Sequence, residues 1–522
     1  MMLDRRGLLL VGAAAAFARW LPAGEAMAQE EGAVLQFGDP TEFNAAMVRQ
    51  RARALAAEAY EPAEGDLPDA VSDLTYDQLR DIRFRSASAL WANEEPEYEV
   101  QFFHPGNVFT DLVRINVVAS GEARQVLFSP QLFDYGPLVP EDLPKEGLGF
   151  SGFRVHGPVN RDDYLDEILV FQGASYFRAV GRSQTYGLSA RGLAIGTAEP
   201  QGEEFPTFRE FWIERPRPQS NSVVIHALLD SPSTTGAFRF TVRHGDFTVM
   251  DVESVFYPRA EIDRVGIAPM TSMFFFSPHD RQDVDDYREA VHDSDGLLIW
   301  NGRGEWLWRP LINPMILQVS SFVDQQPQGF GLMQRSRGFA DFRDLEASYE
   351  RRPSLWIEPV GDWGEGAVML VEIPTAREVH DNIVAFWRPA ERLLPGESYQ
   401  YTYKLHWGPS VPLDRNLAYV AGTFGGAGGN PALHENTSRR LLVAEFVGGL
   451  LAEMTDLSEI EPVVTTTGGE MARPVISRNP HTSGIRVSMD FDPQGAQMID
   501  LRCSLARGGK TISEVWIYRW AA

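Results

Sequence analysis

From about Ala89 onward the chain is written in short runs of β-branched and aromatic residues, each closed by Gly, Pro or Asn. Such runs occur at 98–103, 114–118, 125–128, 167–171, 222–229, 237–242, 246–255 and 398–407. Strands this short pair through tight turns and bury one face each, so the expected class is an all-β sandwich. Helical periodicity is confined to the N-terminal part. A start at Asp39-Pro40-Thr41 precedes Phe43, Met47, Ala54 and Leu55 at helical spacing, to about Ala59, and a second short helix is expected at 76–82. No segment repeats at a fixed period.

A chain of 522 residues is too long for one ordinary domain. After the run ending at Trp407 come Gly408-Pro409-Ser410-Val411-Pro412 and then five glycines between Gly422 and Pro431, a composition that marks a linker or exposed turns. No strand-then-helix pattern surrounds these glycines, so a dinucleotide-binding loop is excluded. Runs at 440–446, 462–466, 484–491, 498–503 and 513–520 follow. They amount to about five to seven strands in roughly 95 residues, the size of an immunoglobulin-like sandwich. The expected division is a large β-sandwich at 29–408, a linker at 409–430 and a small β-sandwich at 431–522.

The first residues carry an address. Arg5-Arg6 precedes the weakly apolar run Gly7 to Phe17, and Ala26-Met27-Ala28 has the form of a cleavage site. Residues 1–28 therefore read as a twin-arginine (Tat) signal peptide, cut after Ala28 and delivering the protein to the periplasm. The apolar run is too short to cross about 30 Å of hydrocarbon, and no later stretch is long enough for a membrane span. The net charge of −25 argues against a nucleic-acid partner, which needs clustered Lys and Arg. The single cysteine, Cys503, excludes an internal disulfide and a Cys-rich zinc site.

Three His-Asp pairs, 279–280, 292–293 and 380–381, raise the question of a metal. Neighbours in a strand point to opposite faces and none of the pairs has helical H-x-x-x-H spacing, so no metal site is expected. No G-x-S-x-G elbow supports a serine hydrolase. Carbohydrate chemistry fits better. Between the apolar runs 368–373 and 383–387 a polar segment carries Glu378 and Asp381, and a second acidic loop, V-H-D-S-D-G, spans 291–296. Both lie among Phe274 to Phe276, Trp300, Trp306, Trp308, Trp356, Trp363, Phe386 and Trp387. Cleaving a glycosidic bond needs one carboxylic acid to protonate the leaving oxygen and a carboxylate across the ring. Flat aromatic faces pack on sugar rings while Asn, Gln and Arg bond the hydroxyls. The candidate sugar-binding set is Trp300, Trp308, Arg309, Gln334, Arg335, Arg351, Arg352, Trp356, Trp363 and Asn382, and nothing requires a cofactor.

Several blocks carry a family likeness: G-A-S-Y-F-R-A-V-G at 173–181, Y-G-L-S-A-R-G at 186–192, V-H-D-S-D-G-L at 291–297 and W-R-P-L at 308–311. G-F-G-L-M-Q-R follows at 329–335 and D-L-E-A-S-Y-E-R-R-P-S-L-W-I-E-P at 344–359. In these blocks the chain resembles the OpgG/OpgD (MdoG/MdoD) family of periplasmic proteins of osmoregulated glucans, and its twin-arginine leader points to the OpgD branch. The resemblance implies a large galactose-mutarotase-like β-sandwich followed by an immunoglobulin-like one. It also implies an anomer-inverting enzyme acting on β-1,2-glucan, with Asp381 as general acid, Asp293 and Glu378 as the other important carboxylates, and Tyr349 orienting substrate or water. The proton path to the attacking water is implied to run through a substrate hydroxyl and ordered water. Glu378 is expected to raise the pKa of Asp381 as a nearby like charge. Three activities stay open: a β-1,2-glucanase, a transglycosylase in the same site, and a non-catalytic glucan-binding scaffold for a membrane glucosyltransferase.

Overall fold

The computed structural model describes residues 34–62, 67–92, 94, 98–218, 220–281, 284–429, 438–454 and 456–522. The leader and cleavage site expected at 1–28 lie outside the described residues. The protein is all-β, as its short apolar runs predict. Among the described residues only one α-helix, Ala45–Ala56, exceeds five residues. It begins later than Asp39-Pro40-Thr41 suggests, because Thr41–Glu42 pairs as a strand with Glu122 and Ala123. Asn44 then caps the helix, its side chain accepting from the Ala46 N–H at 3.1 Å. The buried stripe is Val48 and Ala52, with Phe43 just before it, while Met47 and Ala54 are exposed. The helix expected at 76–82 spans Tyr76–Arg80 and opens on a capping box between Thr75 and Gln78.

Two sheets face each other. One runs in the order Gln318–Gln325, Glu365–Glu372, Ile383–Pro389, Val265–Ser272, Ser189–Arg191, Tyr176–Ala179, Tyr164–Gln172, Gly152–Arg161 and Glu99–Phe103. The other is a continuous path that begins with Glu122–Leu127 and Arg114–Ala119. It passes through Thr207–Glu214, Ser222–Asp230, Thr234–Arg243, Thr248–Pro258 and Tyr399–Gly408 to Ser354–Val360, Gly329–Met333, Gly296–Trp300 and Trp306–Pro310. Alternate residues of both meet in an aromatic core. Phe153 packs on Phe211 at 5.0 Å between ring centroids, and Phe171 and Phe177 each pack on Phe240 at 5.3 Å.

The second sheet does not stop at Trp306–Pro310. That strand takes a parallel neighbour, Val515–Ala521, in the register Leu307↔Val515 and Trp308↔Trp516. Met498–Arg507 and Ile460–Thr466 extend the path further. A separate sheet of Tyr419–Ala427, Arg440–Val447 and Gly484–Asp492, with Val475–Asn479 and Glu470–Met471, completes the C-terminal part. The glycine-rich stretch expected as linker is thus largely strand. Two of its glycines serve close approach: a Cβ on Gly425 would lie 2.9 Å from the carbonyl oxygen of His279, and one on Gly428 2.9 Å from the backbone of Arg440. A second apolar core forms where the two parts meet. It joins Leu298, Trp306, Trp308 and Trp356 to Leu442, Phe446, Ile485, Leu501 and Trp516.

Candidate active site

The loop between Glu365–Glu372 and Ile383–Pro389 is built by its own polar side chains. Ile373 donates its N–H to the Asn382 carbonyl at 2.8 Å, closing the loop at its neck. The Asn382 amide oxygen accepts from the Phe274 N–H at 2.9 Å and its nitrogen donates to the Ile373 carbonyl at 3.0 Å. Asn313 holds the outer end, accepting from the Thr375 N–H at 2.9 Å and donating to the Thr375 carbonyl at the same distance. These bonds supply partners for backbone that Pro374 and the turn remove from the sheet ladder. They present Asp381 at the end of the first sheet.

Asp381 is buried, and its Oδ2 has no hydrogen-bond partner in the protein. The nearest cation is Arg178, with Nη2 3.8 Å from that oxygen. Burial pushes the Asp381 carboxyl up to about 6, with Arg178 and Arg352 opposing and the charge of Asp293 adding to the rise. Glu378 takes no part in that shift, contrary to expectation. It is ion-paired to Arg288 at 2.7 Å, and that guanidinium also binds Asp286 and Asp344 at 2.7 and 2.9 Å. A cation so close cancels the field that Glu378 would otherwise project.

Asp293 is the carboxylate whose charge reaches Asp381. Its N–H is bonded to the Met273 carbonyl at 2.8 Å, and its side chain is gripped by Arg352. The Arg352 guanidinium also stacks 4.3 Å from the centre of the Tyr349 ring. Tyr349 opens the short 3₁₀ turn Tyr349–Arg351 and is buried against Phe342, with its hydroxyl 3.5 Å from Glu378. Burial raises its phenol above the ordinary value. Arg351 is exposed beside it, with Nε 3.2 Å from the Ser183 carbonyl. The fold therefore brings Asp381, Asp293, Glu378, Tyr349 and Arg352 together, with Arg351 next in the chain to Arg352 and turned towards Ser183.

The other expected sugar contacts have different duties. Trp300, Trp308 and Trp356 belong to the apolar junction between the two parts of the molecule. There Trp300 and Trp306 stack at 4.9 Å, Trp306 and Trp356 at 5.6 Å. Gly329 and Gly296 leave room for this, since a Cβ at either would overlap Trp356 or Trp308. Trp363 packs in the main core on Tyr401 and Tyr403, and its indole N–H bonds the Thr402 carbonyl at 3.2 Å. Arg309 is buried against Glu372 at 3.0 Å, and Arg335 binds Glu514. Gln334 and Asn382 are buried with both ends of their amides bonded inside the protein. Of these eight, Trp308, Trp356, Trp363, Arg309, Gln334 and Asn382 are buried, and Trp300 and Arg335 are half-buried.

Sequence reasoning missed Arg178 and Arg288, and with them a polar track on the outer face of the first sheet. Arg178 Nε donates to Ser189 Oγ at 2.6 Å, and Arg191 binds Glu203 at 2.7 Å with its guanidinium 5.1 Å from the Tyr176 ring centre. Alternation along Tyr176–Ala179 and Ser189–Arg191 gives the signal, because Tyr176, Arg178, Ser189 and Arg191 share one face. The three His-Asp pairs spend their imidazoles locally: His279 on the Leu311 carbonyl, His292 on Gln334 and His380 on Thr375. Among the described residues no group of three or more His, Cys, Asp and Glu is placed to hold a metal ion.

The family described as "Periplasmic glucan biosynthesis protein, MdoG" matches residues 43–520. The chain belongs to the MdoG family. Among its relatives, "Glucans biosynthesis protein G" of Vibrio cholerae is 48% identical over 489 residues, covering 93% of this chain and 88% of that protein. The protein of the same name from Shewanella putrefaciens is 48% identical, covering 92% and 87%, and that of Rhodopseudomonas palustris is 50% identical, covering 92% and 94%. The MdoG match spans both sandwich parts, so the C-terminal sheets belong to the family's common body. No helix among the described residues is long and apolar enough to cross a membrane.

Proposed function

We propose that this MdoG-family chain is a periplasmic, inverting glycoside hydrolase acting on β-1,2-linked glucan during glucan biosynthesis. The observation that carries the reading is Asp381: a buried carboxyl, pushed up to about 6, with a free oxygen and a second carboxylate close enough to act on it. A carboxyl in that state is half protonated at about pH 6, where an ordinary aspartate is almost wholly ionised, and can give its proton to a leaving oxygen. As the bond from the anomeric carbon to that oxygen breaks, Asp381 becomes a carboxylate. Water attacks the anomeric carbon from the opposite face, and its proton passes towards Asp293 through a substrate hydroxyl and ordered water. Arg352 grips the Asp293 carboxylate and fixes its aim. Tyr349 and Glu378 position the sugar or the water, and Arg351 offers its guanidinium at the rim. The twin-arginine leader supports placement in the OpgD branch.

The test is incubation of purified protein with linear β-1,2-glucan, with products analysed by mass and linkage. Short linear oligosaccharides of inverted anomeric configuration are expected. Cyclic or relinked products would replace hydrolysis by transfer to a sugar hydroxyl in the same site, and glucan bound but intact would make the chain a scaffold.

A further inference from the structure

Four consecutive residues, Gln334 to Arg337, connect the candidate site to the C-terminal sandwich. Towards the site, Gln334 donates its amide N–H to the carbonyls of Tyr349 and His292, at 3.1 and 3.0 Å, while its oxygen meets His292 Nδ1 at 2.9 Å. His292 directly precedes Asp293. Arg337 donates to the carbonyls of Glu350 and Arg352, and to Ser354 Oγ at 3.2 Å. The backbone of 349–354 is thus held from beneath by two side chains of this segment.

Towards the C-terminal part, the Arg335 guanidinium lies 3.5 Å from the centre of the Trp308 ring and forks onto Glu514 at 2.9 and 2.8 Å. Glu514 is wholly buried and also accepts from Arg415 at 2.5 Å and from the Val420 N–H at 3.0 Å. Arg335 returns a bond to the Val420 carbonyl at 2.6 Å. Burial alone would raise the Glu514 carboxyl, yet Arg335, Arg415 and the Val420 N–H hold it below the ordinary glutamate value. Asp295 locks the middle: it accepts from the backbone N–H groups of Arg335 and Ser336 and from Ser336 Oγ, and it lies 3.4 Å from His292 Nε2.

We propose that Glu514 is a positioning residue for the active site, setting the placement of Asp293, Tyr349 and Arg352 through residues 334–337. The C-terminal sandwich then serves as the abutment against which one wall of the site is fixed. A bidentate, buried Arg-carboxylate pair suits this duty because it specifies orientation as well as proximity. Residues fixed within fractions of an ångström matter for turnover far more than for affinity.

The kinetic part of the test rests on the glycosidase reading, so a second measurement stands apart from it. Two variants are compared with the full-length wild type: Glu514→Gln, and a triple variant with Arg335→Met, Arg415→Met and Glu514→Met, which replaces the buried ion cluster by apolar side chains and leaves none of its three charges unpaired. Amide hydrogen exchange across 349–354 is expected to rise at least tenfold in both. On linear β-1,2-glucan, kcat is expected to fall at least tenfold with KM changed less than threefold. Faster exchange confined to 415–420 and 512–516, with 349–354 protected as in the wild type, overturns the proposal. So does an unchanged kcat in an active enzyme. A wild type that leaves the glucan intact defeats the glycosidase reading alone, and the exchange comparison still decides whether Glu514 fixes the wall.

Discussion

Asp381 combines a cost with a use. A carboxyl whose pKa is raised by folding is easier to protonate in the folded state than in the unfolded chain, so its burial destabilises the protein when it is ionised. The penalty is absent below the unfolded value near 3.8 and fully present above about 6. Asp381→Asn is therefore expected to raise the melting temperature at pH 7.5, by the equivalent of at most about 3 kcal/mol, and to lose that advantage at pH 4. Calorimetry of both proteins across this range checks the sign. The same substitution removes the proton donor and is expected to lower kcat by at least 10³-fold. In the wild type the alkaline limb of kcat/KM should fall with an apparent pKa near 6, and a rate still constant to pH 8 would remove Asp381 from the role of acid. Asp293→Asn is expected to cost a similar loss of turnover while glucan binding, measured calorimetrically, is largely kept. Arg352→Lys tests the flat guanidinium, which serves the Asp293 carboxylate and the Tyr349 ring at once. A lysine makes one of those contacts, and a loss of about 10²-fold in kcat is expected.

At the scale of the element, the loop carrying Asp381 depends on Asn382 more than on any apolar contact. Asn382→Ala leaves the buried Phe274 N–H without its partner, a cost of about 1–3 kcal/mol, and removes the bond to the half-buried Ile373 carbonyl. Denaturant unfolding should show that loss, and catalysis should fall with it because Asp381 is the next residue. This element was legible in the chain: apolar run, Pro374, carboxylates and apolar run become strand, loop and strand. The strands at 98–103, 114–118, 222–229, 237–242 and 398–407 were legible for the same reason, whereas Val265–Ser272 and Gly329–Met333, buried on both faces, carry no alternation to read. The tryptophans were not. An aromatic that stacks on a sugar and one that stacks on a neighbouring domain have the same period and the same neighbours in sequence. Only the register Trp308↔Trp516 reveals that Trp300, Trp308 and Trp356 face protein. Nor could the glycines of 422–429 be separated into flexible and closely packed, because composition is silent on what lies opposite. Glu378 and Arg288 were likewise beyond reach, being 90 positions apart and joined only by the fold.

At the scale of the molecule, the two sandwich parts share a sheet edge, an aromatic junction and the Glu514 ion cluster. Trp356→Ala empties the centre of that junction and is expected to destabilise the whole protein by about 3–5 kcal/mol, seen as one shifted transition rather than the loss of a separate one. The proposed twin-arginine leader would export the folded body, and it predicts that Arg5→Lys with Arg6→Lys leaves the protein in the cytoplasm, which fractionation of cells would show. The parallel pairing Leu307↔Val515 bears on synthesis itself. Strand Trp306–Pro310 leaves the ribosome about 200 residues before its neighbour exists, a delay of at least about 10 s at 5–20 residues per second. Until then its outer edge and the flanking tryptophans form an open template for another chain. A chain ending at 512 is expected to aggregate through that edge, and one restored by adding 513–522 as a separate peptide would show that the nascent protein waits for its last strand.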